Sequence, residues 1–381
     1  MGPLQGIKIV EFAGLGPGPF CAMLLSDLGA EVIRIDRQQA LVGRADHDPR
    51  SQVINRGRRS IAVDLKNPDA FAAIIRLINQ SDALIEGYRP GVMERLGFGP
   101  QICMSSNPKL IYGRMTGWGQ NGPLAMAPGH DINYIALTGT LNAIGRKDSP
   151  PTPPLNLVGD FGGGAYLAIG LLAAILEAKT SGQGQIVDTA MVDTTASMMA
   201  YFFGFSATGY WLEERGSNYL DSGSPFYDTY ETADGKWIAI GSVEEKFWKQ
   251  TWQLLGLDPE DLPPQHEQEN WQKTKIKVAS AVKKKSRKEW INIFEGQEAC
   301  VTPVLSITET ADHPHIKARQ TVVNIDGIEQ PAPAPRFSKT NTELRLPPPV
   351  RGEHSEAILH DWGFDAAEIS ALIDSGAIMQ A

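Results

Sequence analysis

Residues 7–36 read IKIVEFAGLGPGPFCAMLLSDLGAEVIRID, and their pattern decides the class of fold. Ile7-Lys8-Ile9-Val10-Glu11-Phe12 is a strand-length run of mostly β-branched and aromatic residues. A Gly/Pro-rich turn, Gly14-Leu15-Gly16-Pro17-Gly18, follows it. A helix is expected over about residues 20–28, and Val32 to Ile35 reads as a second strand. Strand, crossover helix and strand make one βαβ unit, which requires a parallel sheet.

The alternation continues outward. Ser60 to Leu65, Ala83 to Glu86 and Leu110 to Met115 are strand-like, and 68–79 is helix-like. The expectation is an α/β fold with a doubly wound, Rossmann-like sheet. A long helical stretch over about 188–213 then breaks the pattern and leads into Gly- and Ser-rich 216–225. Beyond it, Tyr227 to Glu231 and Lys236 to Ile240 form a hairpin through Asp234-Gly235. Helices to about 297 and a strand at Thr302 to Ile307 complete a smaller α+β unit. Proline-rich 331–349 suits neither helix nor central strand, so it is read as a connector returning helices over about 354–375 to the first domain. The expected organisation is a large domain over 1–190 completed by 335–381, a helical linker over 191–220, a small α+β domain over 221–315 and a return linker over 316–334.

Composition narrows the function classes. The 381 residues are 42% hydrophobic, enough for large cores, and the formal charge of −9 argues against nucleic acid as a partner. The basic run Lys283 to Lys288 reads as the solvated side of a helix. Three scattered cysteines, Cys21, Cys103 and Cys300, build neither a disulfide framework nor a zinc site, which points to a reducing compartment. No signal peptide is read, the longest apolar run, Ala165 to Leu176, is about half a membrane span and is taken as a buried helix, and Met379-Gln380-Ala381 is no peroxisomal address. A cytoplasmic location with no membrane association is expected.

Gly14-Leu15-Gly16-Pro17-Gly18 with Asp36 after the second strand imitates a dinucleotide fingerprint. The third glycine would fall at Pro19, however, and two prolines remove amides that a pyrophosphate would need. Nicotinamide or flavin binding is therefore set aside.

Two loops carry the chemistry. Gly129-His130-Asp131-Ile132-Asn133 and Gly159-Asp160-Phe161-Gly162-Gly163-Gly164 each place one acid/base group before an apolar helical stretch. Two such groups could face each other across one carbon atom. Asp131 is expected to cap its helix, which leaves His130 without a structural task, whereas Asp160 also reads as an N-cap. In Ser242-Val243-Glu244-Glu245, Ser242 and Glu245 have capping-box spacing, which leaves Glu244 as the free carboxylate able to orient a histidine.

Gly129 to Tyr134, Pro154 to Asp160, Leu84 to Val92 and Gly182 to Asp188 resemble the α-methylacyl-CoA racemases of the family III CoA-transferase fold, and the likeness runs from Leu4 to about Trp362. The resemblance implies an interlocked homodimer, each subunit with a Rossmann-like large domain and a small domain. It implies inversion of (2R)- and (2S)-2-methylacyl-CoA thioesters by 1,1-proton transfer, without metal or organic cofactor, CoA entering with the substrate. His130 and Asp160 match the family's base pair and Glu244 its supporting glutamate. The CoA-contacting positions carried over are Arg37, the segment Val63, Asp64, Leu65 and Lys66, the segment Gly129, Asp131, Ile132, Asn133 and Tyr134, and Arg89. The cluster Arg56 to Arg59 is either a further CoA contact or solvated surface, and Met191, Met198 and Met199 are candidates for supporting the acyl chain. The alternative within the fold is a CoA transferase using Asp160 as a nucleophile. Departures from the family pattern at Asp221 to Pro225 and at Glu245-Lys246 bear on acyl preference more than on reaction type.

Overall fold

A computed structural model describes residues 2–39 and 48–381. Its contacts divide the chain into two compact units, one formed by 1–138, 155–197 and 319–381 and the other by 139–154 and 198–318. The fold is mixed α/β with a mostly parallel central sheet.

In the first unit, β1 (Lys8–Phe12), β2 (Glu31–Arg37), β3 (Arg58–Val63), β4 (Ala83–Glu86), β5 (Ile111–Thr116) and β6 (Ile186–Ala190) run parallel in the order 3-2-1-4-5-6. This is the doubly wound order, with its switch point between β1 and β4. Strands β1 to β5 are buried on both faces, and their side chains divide by period two. Val10, Phe12, Ile33 and Leu84 enter one core with the helix Pro68–Asn79, whereas Ile9, Val32 and Ile85 enter the other with α1 (Pro17–Asp27) and the helix Gly162–Ser181. Each such fully buried aliphatic side chain contributes roughly 1.5–3 kcal/mol.

Local chemistry sets the ends of these elements. Asn67 caps the helix Pro68–Asn79 by accepting from the Asp69 amide at 2.9 Å, with Pro68 at its first position. Helix α1 begins at Pro17, three residues earlier than the sequence suggests, because its prolines stand where the first turn needs no N–H. The expected helix over 188–213 is replaced by β6 and two helices, Met191–Met198 and Ala200–Ala207. The helix after Asp160 is also longer than its apolar run: Leu157–Ser181 is long and apolar enough by composition to cross a membrane. It is not the fully buried helix expected, since Leu167, Leu171 and Ala174 pack inward while Ile169 and Leu176 are exposed.

The chain returns late to the first unit through the hairpin β10 (Val322–Ile325) and β11 (Ile328–Pro331), and helices Ser355–Asp361 and Ala366–Asp374 close the core around Trp362. The short strand β12 (Ile378–Met379) then pairs antiparallel with β3.

The second unit holds a three-stranded antiparallel sheet of β7 (Tyr227–Glu231), β8 (Trp237–Gly241) and β9 (Val301–Val304). Trp248, Trp252, Trp271 and Trp290 fill its core. The basic run does not lie on one helix: Lys283 to Lys288 crosses the junction between helices Gln268–Val282 and Arg287–Phe294, and Ser286 and Glu289 form a capping box there. The break follows from that cap, which starts a new helix within the run.

Candidate active site

A cavity of about 520 Å³ opens at the switch point, where the chain leaves β1, β4 and β5. Its floor includes Phe12, Ile85, Met115 and Met191, and both His130 and Asp160 line it. The two acid/base residues singled out in the sequence therefore share one cavity.

His130 reaches it as the N-cap of the helix Asp131–Leu137, with extended backbone (φ −133°, ψ 173°). Its amide donates to Oδ1 of Asn133 at 3.0 Å, and its carbonyl accepts from the Asn133 amide at 2.8 Å. The sequence assigned that cap to Asp131. The Asn133 side chain fixes His130 as the cap instead, so His130 has a backbone task while its ring stays exposed.

Asp160 does not cap a helix, in contrast to the sequence expectation. It lies inside a π-helical turn, Leu157–Phe161, that runs on into the helix Gly162–Ser181. Such turns break the regular ladder and recur at functional sites. Asn156 Nδ2 donates to Oδ2 of Asp160 at 3.0 Å, and the Asp160 amide donates to Oδ1 of Asp131 at 2.9 Å. Burial holds the Asp160 carboxyl above its ordinary pKa; the Asn156 donor pulls it down, the Asp131 charge pushes it up and His130 pulls it down. These opposed effects bring its neutral and ionised forms closer in free energy, as a group that both gives and takes a proton requires.

Tyr134 forms one wall. Its ring meets Trp118 edge-on at 4.7 Å, and a Cβ on Gly117 would lie 2.1 Å from it, so only glycine fits there. Trp118 Nε1 is buried without a hydrogen bond among the described residues. Burial raises the Tyr134 phenol, Asp160 raises it further and Arg89 lowers it, so Arg89 lies close enough at the cavity rim to act on it.

The remaining candidates fall into groups. Gly129, Asn133 and Arg89 line the cavity, whereas Asp131 is buried behind it and Ile132 is exposed. Arg37 closes β2 opposite Val63 at the end of β3, with Asp64, Leu65 and Lys66 following, and its guanidinium stacks on Tyr88. The arginines of the cluster Arg56 to Arg59 are paired within the chain rather than simply solvated. Arg56 is buried against Asp27 at 2.6 Å, Arg58 against Glu11 at 3.1 Å, and Arg59 pairs with Asp361 and Glu31. Met191 lines the cavity, whereas Met198 and Met199 belong to the second unit.

Glu244 also belongs to the second unit, where it caps the helix Glu245–Leu254. The capping box expected of Ser242 and Glu245 does not form. Ser242 is buried and donates to the Ala299 carbonyl at 2.6 Å, while Glu245 pairs with Lys249 at 2.6 Å on the surface. A tertiary acceptor takes the hydroxyl that local spacing assigned to the helix.

Asn156 and Gly16 are site residues that sequence reasoning missed. Asn156 precedes Asp160 by four residues, one helical turn, and that spacing was the available signal.

Residues 4–355 match the model of CoA-transferase family III, and the chain belongs to that family. It is 42% identical over 374 residues to an alpha-methylacyl-CoA racemase of Mus musculus, covering 97% of this chain and 96% of that one. A Homo sapiens alpha-methylacyl-CoA racemase is 42% identical over 372 residues, with the same two coverages of 97% and 96%. A solved CaiB/BaiF family protein from Brucella suis shares the fold, with a TM-score of 0.83 at 24% identity, over 95% of this chain and 100% of that one.

Proposed function

We propose that the protein interconverts (2R)- and (2S)-2-methylacyl-CoA thioesters by moving the α-proton from one face of the carbon to the other. The supporting observation is that His130 and Asp160, drawn from separate loops, line one cavity at the switch point. In one direction His130 accepts the α-proton, the electron pair of the broken C–H bond passes into the thioester as an enolate, and protonated Asp160 returns a proton to the opposite face. The reverse direction exchanges the two roles. The Asp131 and Ile132 amides, which precede the first backbone hydrogen bonds of the helix Asp131–Leu137, favour the enolate oxygen.

Arg37, Val63 to Lys66, Arg89 and Gly129 to Tyr134 are proposed to hold CoA, and Glu244 to orient His130. A homodimer is proposed as well. Exposed apolar side chains support it, Ile169 and Leu176 in the first unit and Tyr201 and Phe203 in the second. No metal or organic cofactor has a step in this scheme. The transferase alternative would use Asp160 alone and needs an acceptor acid, which gives His130 no role.

The test is incubation of one enantiomer of a 2-methylacyl-CoA in deuterated water. Deuterium at the α-carbon together with loss of chirality is expected. An unlabelled, optically pure thioester would overturn the reading, and dependence on an added carboxylic acid would favour the transferase.

A further inference from the structure

We propose that Asp131 and Asn156 are positioning residues that hold Asp160 at both ends and leave one carboxylate oxygen, Oδ1, to meet the substrate. The inference rests on the racemase reading and deepens it. Asp131 Oδ1 accepts the Asp160 amide at 2.9 Å across 29 residues of chain, tying the His130 loop to the Asp160 turn. Asn156 Nδ2 occupies Oδ2 at 3.0 Å. Oδ1 of Asp160 accepts no hydrogen bond among the described residues.

Asp131 makes a poor purely structural residue. It is 6% exposed, and its Oδ2 is buried without a hydrogen bond among the described residues. A neutral side chain could accept the same amide without the cost of an unsatisfied buried carboxylate oxygen. What the carboxylate adds is a charge beside Asp160.

The groups acting on Asp160 are Asp131 and His130 from the helix start and Asn156 from its own turn, while Tyr134 is acted on by Asp160 in return. Helices α1 and Gly162–Ser181 contribute no charge to it. Asp131 favours neutral Asp160, and Asn156 favours the ionised form. The two neighbours therefore fix the geometry together and oppose each other in charge.

Asp131→Asn keeps an amide acceptor and removes the charge, so the limb of the kcat profile governed by Asp160 should move to lower pH. Asn156→Ala removes the donor, and the same limb should move to higher pH. Both variants should lose roughly tenfold to hundredfold in kcat with KM changed far less. The measurement is α-deuterium exchange and racemisation of each 2-methylacyl-CoA enantiomer across pH. A merely structural role would lower kcat without splitting the limbs in opposite directions. Limbs that coincide with the parent's, or move together, overturn the proposal. Should Asp131→Asn fail to fold, the direction for Asn156→Ala decides alone. A parent enzyme that shows no exchange defeats the racemase reading itself, whereas an active parent with unsplit limbs defeats only this inference.

Discussion

A Cβ on Gly16 would sit 2.6 Å from Oδ2 of Asp160, inside van der Waals contact. The glycine turn that imitates a dinucleotide fingerprint thus makes room for a carboxylate. Gly16 also holds φ at +65° with ψ at −112°, a conformation that an L side chain resists. We expect Gly16→Ala to cost about 1–3 kcal/mol in strain and to lower kcat about a hundredfold as Asp160 is displaced. Steady-state kinetics with a thermal melt checks this; an unchanged kcat would mean that Asp160 tolerates displacement.

The two bases should be separable. His130→Gln and Asp160→Asn are each expected to lower racemisation by about 10²–10⁴-fold. Each variant should still exchange the α-hydrogen of one enantiomer with solvent, and the favoured enantiomer should differ between them. Nuclear magnetic resonance of both enantiomers in deuterated water reads this directly. Identical enantiomer preference in the two variants would contradict a two-base mechanism.

The buried pair of Arg58 and Glu11 concerns stability. Both side chains are 0% exposed at 3.1 Å, and Arg58 also donates to the carbonyls of Pro19 at 3.0 Å and Ile54 at 2.7 Å. Arg58→Met strands the Glu11 carboxylate, and about 3–5 kcal/mol of stability should be lost in denaturant titration. Adding Glu11→Leu should recover much of that loss, since no charge is then left unpaired.

His354 should make stability depend on pH. Its Nδ1 accepts the Ser60 amide at 3.3 Å, which requires that nitrogen to be unprotonated. Burial holds its pKa below the ordinary value; Glu353 opposes this, and Arg59 and Arg50 reinforce it. The unfolded chain then binds the proton more readily, so this stabilisation is present above the unfolded value of about 6.5 and lost as pH falls through the folded value. His354→Gln should show a smaller drop in Tm on acidification than the parent. An equal drop would show that His354 is not the group involved.

Residues 7–36 carried the parallel-sheet class because strand, crossover helix and strand follow one another there, and β1 and β2 are indeed buried along most of their length. Ile186–Ala190 was misread because it is half-exposed at the sheet edge and contains Asp188 and Thr189, so nothing in its pattern separates it from the helix that follows. Ser242 and Ser286 show where local rules end. Both sit three residues before a glutamate, yet Ser286 caps its helix while Ser242 turns to a carbonyl 57 residues away. His130 and Asp160 were legible as residue types in suggestive loops. The grip of Asp131 on Asp160 was not, because a hydrogen bond between two loops leaves no periodic trace.

The pairing of β12 with β3 orders events during synthesis. Ser60 in β3 is held by the Gly352 amide at 2.9 Å across 292 residues, and the core beside that strand stays open until Trp362 and Ile378 arrive. The ribosome therefore releases the whole second unit before the first sheet has its edge strand. An uncovered apolar face persists through that interval, and at an elongation rate of about 5–20 residues per second the exposure lasts many seconds. Closure of that face waits on residues that follow the whole second unit in the chain.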